Sequence, residues 1–445
     1  MKNVLVIGAG RSTTELIHYL LTQAAEHDWH VKVADRDGEL AARRVAGSER
    51  GTAVAFDVAD QGQLQALVKE SDLVVSMLPA HMHAPVVEAC IHHGAHFVSA
   101  SYVSPEVRSL QEAAERSGVT ILCEMGVDPG IDHMSAMERL DQLRADEARI
   151  TRFETFTGGL VAPESDDNPW HYKITWNSRN IVLAGQGGVR FKHHNRYKYI
   201  PYHKLFSRFE ILEVPGYGKF EGYANRDSLK YRSHYSLFDV DTIYRGTLRR
   251  PGFCRAWDCL VQLGVTDDSY QVEDLAGMTY RQFTNSYLRW DEAMSVELKL
   301  QAMLKLEPNS PAFARLQWLG IFEDRPIGLD QGTPAQVLQR LIEDKWQMGP
   351  DDKDMIVMLH QYDYELDGRK WRAQSSMVTL GRNSEHTAMA KTVGLAAAIS
   401  AKMVLTGVID RRGILIPTSP HVYRPVLAEL REHDIAFVEE AQHDD

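Results

Sequence analysis

Apolar and polar positions repeat along the first 123 residues in a regular cycle. Val4–Ile7 is a short apolar run closed by Gly8, the pattern of a strand buried on both faces of a parallel sheet. Residues 13–25 carry apolar positions at helical spacing. The cycle continues with a strand over His30–Ala34, a charged helix over Glu39–Val45, and a strand over Thr52–Phe56 ending at Asp57. Gln63–Lys69 reads as a helix, Leu73–Met77 as a strand closed by Pro79, and Pro85–His93 as a helix ended by Gly94. His96–Ser99, Pro105–Ser117 and Thr120–Cys123 add strand, helix and strand, with Gly118 between the last two. Strict alternation with short connections predicts an α/β fold, an N-terminal Rossmann-type doubly wound parallel sheet.

The pattern changes after Glu124. Residues 152–248 are rich in aromatic, basic and glycine positions with several strand-like stretches, which predicts an α+β domain on a largely antiparallel sheet. Helical spacing dominates residues 274–347, including Asp291–Lys305 and Pro334–Trp346, and predicts a small helical insert. Met355–Tyr364 and Arg372–Leu380 read as paired strands, and Thr387–Leu405 as a long alanine-dense helix able to pack closely on the nucleotide domain. The domains are drawn at residues 1–124, completed by about 387–445; at 125–273 with 351–386; and at 274–350 for the insert. Asp444 and Asp445 are expected to fray.

Composition is that of a globular protein, with 44% hydrophobic and 25% charged residues. The formal net charge of -12 argues against a nucleic-acid binder, which needs a basic face to replace counterions. Four cysteines without a C-x-x-C pair suit a reducing cytoplasm. The N-terminus runs directly into a strand, so no signal peptide is expected, and no apolar run is read as long enough to span a bilayer.

The first turn reads Gly8-Ala9-Gly10-Arg11-Ser12-Thr13. Gly8 permits the tight turn, Gly10 leaves room for a pyrophosphate against backbone, and the helix that follows offers free N–H groups. Thr13 stands where the third glycine of G-x-G-x-x-G is usual, but the strand-turn-helix context is the one the motif requires. The second strand ends at Asp35, a residue type that accepts from the ribose of NAD, and Arg36 follows, a residue type that holds the 2′-phosphate of NADP. The choice between NAD and NADP stays open. Asp57 and Val58 lie where adenine packs, and Asp57 would serve equally as a helix N-cap.

The segments "VSASYVSPEVRSL" and "CEMGVDPGIDHMSA" resemble the glutamate-forming saccharopine dehydrogenase (saccharopine reductase) family. "GGLVAPESDDNPWHYKITW", "YANRDSLKY", "YRGTLRRPGF", "TAMAKTVGLAAAISAKMVLTGVI" and "GILIPTSP" follow in order, so the resemblance covers nearly the whole chain. It implies an oxidoreductase of lysine metabolism that oxidises saccharopine reversibly to glutamate and 2-aminoadipate 6-semialdehyde with a nicotinamide cofactor. It also implies a second domain for substrate binding and dimerisation, hence a homodimer. Carried over by motif, Ser101, Tyr102, Asp128, Arg226, Thr247, Leu248 and Arg249 are substrate contacts. Leu78, Ala100, Ser101, Val127, Asp128, Pro129 and Asn177 join the first turn as cofactor contacts. Two departures bear on the cofactor: Arg11-Ser12-Thr13 replaces the family's usual continuation of the loop, and Asp35-Arg36 replaces its usual Cys-Arg pair. A related imine reductase of the carboxynorspermidine type and a non-catalytic dinucleotide sensor are the alternatives.

The chemistry is consistent with the residues. Saccharopine carries three carboxylates, and a guanidinium fork matches a carboxylate in charge and geometry, which suits Arg226 and Arg249. In Gly126–Gly130 the flanking glycines and Pro129 fix a sharp turn that can aim Asp128 into the crevice, or Asp128 can stabilise the turn itself. Imine chemistry needs proton transfer, for which Tyr102, Asp128 and His133 are the candidates; packing at a helix start is the better account of His133. His81, His83, His92, His93 and His96 have metal-like spacing without a completing carboxylate or cysteine, so no metal is expected and they read as solvated. Arg190–Lys198 is taken as an exposed or substrate-facing strand, and Cys254 and Cys259 as core.

Overall fold

The computed structural model describes residues 1–443, and Asp444 and Asp445 lie outside the described residues. The chain divides into two compact units, one of residues 1–150, 353–358 and 364–445, the other of residues 151–352 and 359–363. The strand Asp354–Leu366 contributes to both. This division places residues 125–150 with the first unit and residues 274–350 with the second.

The first unit is built on the predicted alternation. Its elements are β1 (Lys2–Ile7), α1 (Thr14–Glu26), β2 (Trp29–Asp35), α2 (Gly38–Val45), β3 (Gly51–Ala55), α3 (Gln61–Lys69), β4 (Leu73–Ser76), α4 (His83–His93), β5 (His96–Ser99), α5 (Pro105–Ser109), α6 (Gln111–Arg116), β6 (Thr120–Leu122) and α7 (Ile131–Ala145). The helix expected over Pro105–Ser117 is two short ones, broken at Leu110. The strands run parallel in the order β6-β5-β4-β1-β2-β3, so the direction of winding reverses between β1 and β4. A seventh strand, Gly413–Leu415, pairs in parallel with β6 and completes the sheet from the C-terminal end of the chain. The core beneath it is aliphatic: Leu5, Ile7, Val74, Phe97 and Ile121 are buried, with Val58 and Leu78 packed on its rim.

The helix Ala388–Leu405 packs on α1. A Cβ at Gly394 would lie 2.9 Å from the Leu16 amide nitrogen, so only glycine lets the two backbones approach this closely. By length and composition this helix could cross a membrane (18 residues, mean hydropathy 1.4), a length the sequence reading did not register. It is 83% buried, the burial expected of a core helix.

The second unit has a mixed sheet, more so than the antiparallel one expected. Phe209–Val214, Gly218–Ala224 and Thr242–Arg249 are antiparallel neighbours, and Thr242–Arg249 then pairs in parallel with Arg149–Val161. The basic run forms an exposed hairpin of Val189–His193 and Arg196–Ile200. Five helices fill residues 253–345, among them Pro334–Lys345 with a Thr333–Gln336 capping box. The helix expected over Asp291–Lys305 begins only at Val296: Asp291 accepts from the Ala293 N–H at 2.8 Å, a local bond that competes with a helix, and Ser295 supplies the cap. Cys90, Cys123, Cys254 and Cys259 are all buried and unpaired.

Candidate active site

The carboxyl ends of the parallel strands carry nearly every predicted cofactor residue. Gly8 to Thr13 follow β1, Asp35 and Arg36 follow β2, Asp57 and Val58 follow β3, Leu78 follows β4, Ala100 to Tyr102 follow β5, and Val127 to Pro129 lie beyond β6. This is the crevice in which doubly wound sheets bind dinucleotides. Gly8 has φ of 104°, where an L side chain is strained. A Cβ at Gly10 would meet nothing within 4 Å, so the loop leaves open space for a ligand. No side chain caps the turn Arg11–Thr13 or α1, and the Thr13 hydroxyl donates instead to the Gly10 carbonyl at 2.8 Å. These features fit a dinucleotide pyrophosphate.

Asp35 is committed to backbone. Its Oδ2 accepts from the Ala9 N–H at 2.7 Å and its Oδ1 from the Asp37 N–H at 2.9 Å, which ties the end of β2 to the glycine loop. Arg36 is exposed beside it. Asp57 is not the N-cap considered for it: its Oδ1 closes a turn onto the Ala59 N–H at 3.0 Å, and Asp60, three residues on, caps α3.

The loops after β5 and β6 bring the proton-handling candidates together. The Tyr102 hydroxyl donates to Asp128 Oδ1 at 3.1 Å, and both residues are half-buried. The turn is locked from behind: Gly126 N–H donates to the Pro129 carbonyl at 2.9 Å and Gly130 N–H to Asp132 Oδ1 at 2.6 Å. At Gly130, φ is 147° and a Cβ would lie 2.1 Å from the Gly126 oxygen, so no side chain fits. His133 is wholly buried at the start of α7 and bonds Glu124 Oε2 at 2.9 Å, while Glu124 Oε1 accepts from the Val103 N–H at 3.1 Å. Glu124 therefore holds the Ser101–Ser104 loop, a role its sequence position after a strand did not signal.

His83 corrects another expectation. It is buried, not solvated, with Nδ1 at 3.1 Å from Ser76 Oγ and Nε2 at 2.9 Å from Ser101 Oγ. Burial, with a smaller push from His81, takes it down to about 4. His96 is also half-buried, accepting from the Thr120 N–H at 3.0 Å.

The remaining predicted residues lie in the second unit. On Thr242–Arg249, Thr247 and Arg249 share one face and Leu248 points to the other. Arg249 is 4% exposed, packed over the rings of Tyr172, Phe253 and Tyr223 with 5.0, 5.2 and 5.9 Å to the ring centroids. Its Nη1 donates to the Leu248 carbonyl at 2.8 Å, its Nε is buried without a partner, and no carboxylate pairs with it among the described residues. Arg226 differs: it is exposed, at φ of 52°. Asn177 is exposed and caps the helix Ser178–Val182 through the Arg179 N–H at 3.0 Å.

A large groove lies elsewhere in the first unit. About 990 Å³ in volume, it is lined by Glu15, Tyr19, His386, Lys402 and Glu429. Several of its charges are paired with one another: Glu15 with His386 and Arg382, and Lys402 with Glu429. It therefore carries no functional reading.

Residues 4–122 match the saccharopine dehydrogenase NADP binding domain, and residues 126–435 the saccharopine dehydrogenase C-terminal domain. The chain belongs to the saccharopine dehydrogenase family. It is 33% identical to the saccharopine dehydrogenase [NADP(+), L-glutamate-forming] of Pyricularia oryzae, over 97% of each chain. With the enzyme of the same name from Saccharomyces cerevisiae it shares 31% identity, again over 97% of each. The apo structure of saccharopine dehydrogenase (L-Glu forming) from Saccharomyces cerevisiae superposes with a TM-score of 0.89 at 30% identity, covering 99% of this chain and 100% of that one. The family, the α/β architecture and the oxidoreductase class expected from the sequence are all borne out, and the matched domain is an NADP-binding one.

Proposed function

We propose that this chain catalyses the reversible, NADP-dependent oxidation of saccharopine to glutamate and 2-aminoadipate 6-semialdehyde, a step of lysine metabolism. The observation that carries this reading is Arg249. A guanidinium buried without a carboxylate is costly to the free protein and is explained by an anionic ligand that completes it. A tricarboxylate amine is such a ligand. In the second unit Thr247, Leu248 and Arg249, with the exposed Arg226 as a further cation, are the substrate contacts of this reading; in the first unit they are Ser101, Tyr102 and Asp128.

The cofactor is held by Gly8, Gly10, Arg11, Ser12 and Thr13 at the pyrophosphate and by Arg36, Asp57 and Val58 at the adenosine end, with Asp35 acting through the glycine loop it ties down. Leu78, Ala100, Ser101, Val127, Asp128 and Pro129 of the first unit serve the nicotinamide end, and Asn177 of the second unit is a further cofactor contact of this reading. When bound, NADP supplies the hydride acceptor. The protein's own task is to orient the substrate and handle protons. Tyr102 and Asp128, joined at 3.1 Å, are the pair placed to hold a proton at the substrate nitrogen and at the water that hydrolyses the imine. Asp128→Asn keeps the fold of the turn and should lower kcat about 100-fold.

The test is direct: mix the protein with saccharopine and NADP and follow the absorbance of the reduced cofactor. No turnover in this direction or in reverse would refute the assignment. We further propose a cytoplasmic homodimer. Four unpaired buried cysteines suit a reducing compartment. Exposed Tyr197, Tyr199, Phe209, Ile211 and Phe238 in the second unit supply apolar area for a second copy, which light scattering would register as a doubled mass.

A further inference from the structure

We propose that His83 is a positioning residue that sets the hydrogen-bond polarity of Ser101, so that the Ser101 hydroxyl offers its proton to an anionic group of the substrate. The inference rests on the reading of Ser101 as a substrate contact given above.

His83 opens α4, and its ring sits between two hydroxyls from different strand ends. Ser76 closes β4 and lies 3.1 Å from Nδ1, while Ser101 follows β5 and lies 2.9 Å from Nε2. Phe97 packs edge-on against the ring at 5.7 Å between centroids, which fixes its plane. Ser76 is 1% exposed and His83 3%, so water cannot substitute for the bond between them, while Ser101 is half-buried and open to a ligand.

A neutral imidazole has one N–H and one lone pair. The two serines therefore cannot both donate to His83, nor both accept from it. In one arrangement Ser101 gives its proton to Nε2 and turns lone pairs toward a ligand, which repels a carboxylate. In the other, Ser76 donates to Nδ1, Nε2–H donates to Ser101 Oγ, and the Ser101 proton remains for the ligand. Only the second suits an anion, and there each bond polarises the next in the same direction. His83 thereby couples a buried serine, which cannot reach the substrate, to one at the site.

The test compares three variants with wild type by saccharopine KM and by NADPH affinity from fluorescence. His83→Phe keeps the ring volume and removes both bonds. In His83→Asn the amide reaches the place of Nδ1, and in His83→Gln that of Nε2. The expectation is a saccharopine KM raised about tenfold in the Phe and Asn variants. NADPH affinity, to which Ser101 also contributes, should change less than the saccharopine KM, and the Gln variant should recover most of the loss. Nitrogen-15 NMR of His83 in wild type with saccharopine should show the proton on Nε2. A wild-type KM in His83→Phe, a Gln variant as impaired as Phe, or a proton on Nδ1 in the complex would each overturn the inference. Were wild type itself inert toward saccharopine, the assigned reaction would fall and this inference with it. An active wild type beside an unaffected Phe variant would overturn this inference alone.

Discussion

Arg249 and Asp35 both make contacts that their residue types alone do not announce. Arg249 holds a charge out of water, against three aromatic rings and with no counter-ion among the described residues. Replacing a buried, uncompensated charge by an apolar side chain of similar volume commonly stabilises a protein. Arg249→Met should therefore raise the stability of the free protein by about 1–2 kcal/mol. It should also raise the saccharopine KM at least 100-fold, roughly the loss of a charged hydrogen-bond pair. Thermal melts and steady-state kinetics read the two effects separately, and a variant that loses stability would show that Arg249 is structural. Asp35 lends itself to the same kind of argument. Because both its oxygens accept backbone N–H groups, it organises the glycine loop, and the exposed Arg36 is the residue proposed above for the adenosine end, where the 2′-phosphate lies. Arg36→Ala should weaken NADPH about tenfold and leave NADH unchanged. Asp35→Ala should weaken both alike, because the loop they share is disturbed. If the Asp35→Ala variant gained NADPH relative to NADH in fluorescence titrations, Asp35 would be a ribose contact after all. The sequence left this choice open because the deciding bond joins Asp35 to Ala9, 26 positions away. His83 was missed for the same reason. A histidine at a helix start reads as solvated until the sheet brings Ser76 and Ser101 to its two nitrogens.

Among elements, the strands of the first unit were the most legible feature of the chain. Runs such as Val4–Ile7 and Leu73–Met77 are apolar on both faces, and only a parallel sheet covered on both sides accepts them. Helix ends were less legible, because a cap depends on which neighbouring side chain reaches the free N–H groups. Asp60 rather than Asp57 caps α3, and Ser295 rather than Asp291 starts its helix. The short strand Gly413–Leu415 has too few residues for any periodicity and exists because β6 offers it an edge. The alanine-dense helix shows the converse, since its small residues announced close packing and Gly394 against Leu16 realises it. Gly394→Val would press its branched side chain onto the α1 backbone at the turn that bears the phosphate loop. We expect a loss of about 2–3 kcal/mol in denaturant unfolding, with NADPH affinity weakened as α1 shifts. A Val variant of wild-type stability would mean that the two helices are not held this closely.

In the molecule as a whole, two buried titratable groups of the first unit oppose each other in acid. His83 is pushed down by burial from 6.5 to about 4. Between those values the unfolded chain binds a proton that the native one refuses. Its contribution is fully present above about 6.5 and drains as pH falls toward about 4, by roughly 3 kcal/mol in total. Asp354, whose carboxylate accepts from the Ala388 and Met389 N–H groups, is pushed up by burial from 3.8 to about 6, with those bonds opposing the shift. Here the native state takes the proton first, so stability is fully present below about 3.8 and is lost as pH rises through about 6. Over pH 4–6 the two slopes have opposite sign and similar size, and wild type should show little net dependence from this pair. Removing one partner exposes the other. The urea midpoint of His83→Gln should rise as pH is lowered from 6 to 4, relative to wild type. That of Asp354→Asn, which keeps an acceptor for the helix start, should fall over the same range. Parallel midpoint curves for all three proteins would mean that neither group is held as far from its ordinary range as its burial requires.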